Sequence, residues 1–100
     1  MIHSTLAAGR WQQMTIAEQL GNAGAEYSRI ISSKKANNAA RFESARARYL
    51  ELLDLTINDP RWSVNRKQEI QRLRELTSQN FPEKLQTYFD QFATLARSKH

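Results

Sequence analysis

From Thr15 onward, apolar positions return every three or four residues, the period of a helix with one buried face. Ile16, Leu20, Ala23, Tyr27, Ile30 and Ile31 share one stripe. Thr15-Ile16-Ala17-Glu18 has the form of a capping box, in which the Thr15 hydroxyl accepts an orphan amide and Glu18 reaches back to the Thr15 amide. Beside the stripe, Ala17, Gly21, Gly24 and Ser28 make a column of small side chains. Each glycine costs a helix about 1 kcal/mol relative to alanine, so the column predicts another helix in close approach. The first helix is expected to fade between Ser33 and Lys35.

Asn37 or Asn38 can cap a second helix, which the pattern carries to about Ile57 on a face of Phe42, Tyr49, Leu50, Leu53 and Ile57. Pro60 ends it, because proline has no amide and disfavours a helical residue before it. Leu52, Leu55 and Ala45 form a second stripe, interleaved with Arg41 and Arg48; a helix apolar on two sides predicts two neighbours. Ser63 is placed to cap a third helix over Val64 to Ser78, with Ile70, Leu73 and Leu76 as its thin apolar stripe. After Asn80-Phe81-Pro82, a fourth begins at Pro82 and buries Leu85, Tyr88, Phe89, Phe92, Leu95 and Ala96.

Composition agrees with this pattern. The chain has 100 residues, 40% hydrophobic, with three glycines and two prolines. That predicts an all-α fold, a single compact bundle of about four helices over residues 15–100, behind an N-terminal tail of residues 1–14. There are no cysteines, which excludes disulfides and thiolate metal sites and fits a cytoplasmic protein. No apolar run approaches the roughly 20 residues of a membrane span, and the opening MIHSTLAAG lacks the basic start of a signal peptide.

Charge narrows the function further. The formal net charge is +5, and between Arg29 and Arg74 eleven basic residues face five acidic ones. Arg41, Arg48, Arg61, Arg66, Lys67, Arg72 and Arg74 are the candidate nucleic-acid contacts, with Trp62 and Tyr49 near them in sequence. Arg72 and Arg74, one residue apart, point in different directions on a helix. Arg46 falls near the buried face of the second helix and is expected to lay its stem over the core rim and pair with Glu18 or Glu26. Leu52, Leu55 and Trp62 are candidate interface residues, because their apolar surface suits self-association.

Catalytic chemistry is not expected. His3 and His100 stand at opposite ends of the chain, where the supporting shell of a metal site is lacking. The serines have no internal histidine as a base, and the carboxylates are scattered singly. Glu51 and Asp54 share a helix surface suited to solvated pairing. No glycine-rich phosphate loop is present, so no cofactor is expected.

Four segments carry a resemblance: Trp11 to Ile31 (WQQMTIAEQLGNAGAEYSRII), Tyr49 to Trp62 (YLELLDLTINDPRW), Arg66 to Glu75 (RKQEIQRLRE) and Tyr88 to Lys99 (YFDQFATLARSK). They resemble a family of small uncharacterised prokaryotic helical-bundle proteins, and the LLDLT-x-x-DP stretch is the most specific part. The resemblance implies a helical bundle and no settled function. Ala23 departs from it, standing where a larger aliphatic residue is expected. In size, charge and architecture the chain is also loosely similar to the basic helical-bundle accessory proteins of diversity-generating retroelements. The sequence therefore leads to a non-enzymatic accessory protein, oligomeric, that binds RNA or a ribonucleoprotein such as a reverse-transcriptase complex. The alternative is an adaptor whose basic face meets an acidic protein.

Overall fold

In a computed structural model that describes residues 9–78 and 80–98, Thr15 starts the first long helix through the capping box its sequence calls for. The Glu18 amide donates to Thr15 Oγ1 at 3.1 Å, and the Thr15 amide donates to Glu18 Oε1 at 2.8 Å. Helix α1 runs Ile16–Lys35, α2 Ala39–Ile57, α3 Val64–Leu76 and α4 Lys84–Ser98. Among the described residues there is no strand, and no helix is long and apolar enough to cross a membrane. The fold is an all-helical bundle.

Helix α1 is the organising element, packed against both α2 and α4, while α3 leans on α2. Its small-residue column seats α4. A Cβ added at Gly24 would lie 2.5 Å from Phe89 Cβ, and one added at Gly21 would lie 3.3 Å from Ala93 Cα. The backbones approach this closely because the side chains between them are missing. Phe89 is thereby carried into an aromatic cluster, its ring centroid 5.3 Å from Tyr27 and 5.9 Å from Tyr49. The phenols are satisfied: Tyr27 Oη donates to Pro82 O at 2.7 Å, and Tyr49 Oη shares a 2.8 Å hydrogen bond with Thr77 Oγ1. Burial pushes the Tyr27 hydroxyl up to about 12 and raises that of Tyr49 as well. Ala23 is fully buried in α1, so its small size is used in the core.

Three expected boundaries move. Helix α4 starts at Lys84, two residues after Pro82, because the chain first makes a tight turn: the Leu85 amide reaches Pro82 O at 3.2 Å and the Gln86 amide reaches Glu83 O at 2.9 Å. Helix α3 stops at Leu76, where Thr77 Oγ1 takes up the Leu73 carbonyl at 2.8 Å. Residues 9–11, assigned to the tail from sequence, are helical, and the Trp11 side chain is buried in the core. Residues 1–8, His100 and the histidine pair that spans them lie outside the described residues.

Leu76 and Leu95 also leave the faces expected of them, at 63% and 48% exposure. Both sit at the end of two successive steps of three residues, from Ile70 through Leu73 and from Phe89 through Phe92. Each such step falls about 60° short of a full turn, so the third member rotates off the core.

Candidate nucleic-acid interface

Where the chain passes from α2 to α3, a set of buried polar side chains closes over the start of α1. Asp59 is wholly buried. Its carboxylate accepts the Arg61 amide and Nε on Oδ1, both at 3.0 Å, and Arg61 Nη2 on Oδ2 at 2.7 Å. Gln19 Nε2 adds a bond to Oδ2 at 2.9 Å and a second to Trp11 O at 2.8 Å. Trp62 Nε1 donates to Gln19 Oε1 at 2.9 Å, and Trp11 Nε1 donates to Thr56 Oγ1 at 3.0 Å. The Arg61 guanidinium also donates to Met14 O at 2.6 Å and lies 4.4 Å from the centre of the Trp62 ring.

The Arg61 hydrogen bonds hold the Asp59 carboxyl down at about 2, helped by Gln19 and opposed by burial. This network ties the segment before α1 to the turn after α2. It uses Arg61 in holding the fold, and it engages the polar edge of Trp62. Two members of the sequence-derived site, Arg61 and Trp62, are thus parts of a structural clasp.

The rest of the basic set divides by partner. Arg66 pairs with Glu69 at 2.7 Å, and Arg74 pairs with Asp54 at 2.7 Å. Arg41, Arg48, Lys67 and Arg72 have no side-chain hydrogen bond or ion pair among the described residues. Nor do the seven candidates form one patch. The Arg74–Asp54 pair and a 3.1 Å bond from Arg46 Nη2 to Ser78 O set α3 on the Arg46, Leu50 and Asp54 flank of α2. Arg41 and Arg48, seven residues apart, occupy the opposite flank. On α3 itself, Lys67 and Arg74 share one side while Arg72 points away from them. The carboxylate pairing expected for Arg46 is replaced by that backbone carbonyl at the end of α3; Glu26 is taken by Arg29 at 2.8 Å.

The chain matches no family model, no curated protein and no solved structure.

The interface residues are also largely occupied within the chain. Leu52 is 7% exposed and belongs to the core, and Leu55 is half-buried against it. The two-sided apolar character of α2 is met by the chain's own α1, α3 and Trp11 segment. Among the described residues the large exposed apolar side chains are instead Val64 (69% exposed) and Leu76 (63%) on α3 and Leu95 on α4. Among the described residues, no three of histidine, cysteine, aspartate and glutamate gather where they could hold a metal ion.

One cationic feature has no signature in the charge pattern of the sequence. Helix α1 ends in a Schellman turn: Asn37 takes a left-handed φ of 54°, the Asn37 amide donates to Lys34 O at 3.2 Å, and the Asn38 amide donates to Ser33 O at 2.9 Å. Asn38 then caps α2 through Oδ1, which accepts the Arg41 amide at 3.1 Å. This reversal sets Lys34 beside the start of α2, whose first turn carries Arg41. The first turn of α2 contains no acid. Asn37-Asn38 between two helices was legible as a cap, but which cations the turn would gather was not.

Proposed function

We propose that the protein is a non-catalytic nucleic-acid-binding bundle of four helices, cytoplasmic and acting as an accessory to RNA or to a ribonucleoprotein. Its contact surface runs from Lys34 at the α1–α2 turn along the Arg41 and Arg48 flank of α2. The observation that carries this reading is the division of the cations. Arg61, Arg66 and Arg74 already have carboxylate partners, whereas Arg41, in the acid-free first turn of α2, and Arg48, two turns further along, extend without one. Unpaired arginines exchange hydration for phosphate at smaller cost than arginines that must first break an ion pair. Their seven-residue spacing puts the two about 10 Å apart along the helix, within reach of successive phosphates of one strand.

A filter-binding titration of mixed-sequence RNA and duplex DNA tests the reading. It requires binding at low salt that weakens steeply towards physiological salt, as counterion release dictates. Absence of binding to either nucleic acid at low salt would end it.

An adaptor that meets an acidic protein is the second reading. It is favoured by α3, where exposed Val64 and Leu76 share a helix with Lys67 and Arg72. A contact of that kind buries apolar area and is much less sensitive to salt. Self-association also belongs among the proposals, with α3 and the half-buried Leu55 offering the apolar surface for it.

A further inference from the structure

Helix α3 is fastened at both ends and thinly held between them. Before it, the bonds of Gln19 to Asp59 and Trp62 fix residues 59–62 to α1. After it, Phe81 is buried in the core and Pro82 O accepts Tyr27 Oη at 2.7 Å. Of the described residues between 63 and 80, only Ile70, Leu73 and Thr77 are buried, whereas α1 buries nine of its 20. The packing of α3 is on α2, and it is much thinner than the packing of α1 on α2 or of α4 on α1.

What completes the seat of α3 is polar. Arg74 pairs with Asp54 at 2.7 Å, Arg46 Nη2 donates to Ser78 O at 3.1 Å, and Thr77 Oγ1 shares a 2.8 Å hydrogen bond with Tyr49 Oη. The Arg74 and Asp54 side chains are 32% and 49% exposed, so water competes for the pair. Few buried side chains and an exposed ion pair mark a segment that opens at lower cost than the whole fold. Because α4 takes its packing from α1, the loss of α3 leaves the α1–α2 and α1–α4 contacts in place.

We propose that α3 is a releasable strap, which lifts off α2 as one unit between its fixed points at residues 59–62 and 81–82. Release breaks the Arg74–Asp54 pair, the Arg46–Ser78 bond and the Thr77–Tyr49 bond together. It bares the Arg46, Leu50 and Asp54 flank of α2 and the hydroxyl of Tyr49, whose ring belongs to the central aromatic cluster. Control of the strap is ionic, since salt screens the pair that holds it. The device does not depend on the nucleic-acid reading, which rests on the other flank of α2.

Hydrogen exchange of the native full chain, followed by NMR in rising sub-denaturing urea, tests the strap. The amides of Gln68 to Leu76 should converge on one opening, at least ~10-fold faster than the slowest amides between Leu20 and Ile30. Their urea dependence should be weaker, because less surface is exposed than in global unfolding. Arg74→Gln should speed the α3 amides severalfold with that urea dependence unchanged, and added salt should narrow the difference between variant and wild type.

If the α3 and α1 amides exchange together with one urea dependence, α3 leaves only in global unfolding and there is no strap. Fast α3 exchange that differs from residue to residue, with no urea dependence, is fraying and overturns the proposal equally. An α3 rate that Arg74→Gln does not move would overturn the ionic control.

Discussion

Arg61 grips the buried carboxylate of Asp59 through its own amide, Nε and Nη2, at 3.0, 3.0 and 2.7 Å, while its guanidinium rests against the ring of Trp62. Asp59→Asn keeps the size of the side chain but removes the charge that these donors address. It should destabilise the fold by about 1.5–3 kcal/mol, the range for hydrogen bonds to a charged group. Chemical denaturation checks this, and an unchanged midpoint would mean that the clasp contributes nothing.

The same pair sets a pH dependence. The folded-state pKa of Asp59, about 2, lies below its value in the unfolded chain. Its contribution is therefore fully present above about pH 4 and is lost as pH falls towards 2, because the unfolded state binds the proton first. Thermal melts of wild type and Asp59→Asn should converge across that window. A difference that stays constant from pH 6 to pH 2 would contradict the assignment.

Packing of α4 on α1 makes its own prediction. Gly24→Ala gains about 1 kcal/mol of helix propensity, but its methyl would meet Phe89 Cβ at 2.5 Å. The net result should be a loss of about 1–3 kcal/mol from overpacking. Gly21→Ala, whose nearest neighbour is 3.3 Å away, should be milder. Equal or greater stability for Gly24→Ala, measured by urea denaturation, would show that Phe89 is not seated there.

Leu52 separates core from interface. Its burial within the chain predicts that Leu52→Gln lowers the melting temperature at every protein concentration. Leu55→Gln, at a half-buried site, should be mild in that assay. Light scattering on Leu55→Gln then bears on self-association without the confusion of a damaged core.

Much of the fold was readable because local signals and packing agree. Thr15 with Glu18, Ser63, and Asn38 each cap the helix their residue type announces. The glycine column announced a close neighbour, although nothing in the sequence said that the neighbour would be α4 and Phe89. The site was less readable because charge counts do not record partners. Arg61 and Arg74 look like Arg41 and Arg48 in sequence, yet the first two are committed to Asp59 and Asp54. The clasp is hidden for the same reason: Thr56 and Asp59 lie 37 and 40 residues from Gln19 in the chain, and all three read as ordinary polar positions until the fold brings them together. Its strongest sequence trace was the LLDLT-x-x-DP stretch, followed by Arg61 and Trp62.

On the proposed function, the unpaired cations of α2, and not the paired ones of α3, meet the nucleic acid. The most direct measurement compares the salt dependence of RNA affinity for wild type, Arg41→Gln/Arg48→Gln and Arg66→Gln/Arg74→Gln. Each phosphate contact contributes roughly 0.7–0.9 to the log–log slope. The α2 pair should therefore flatten the slope by about 1.4–1.8, while the α3 pair should leave it near the wild-type value. A slope unchanged in Arg41→Gln/Arg48→Gln, or flattened only in Arg66→Gln/Arg74→Gln, would contradict the account.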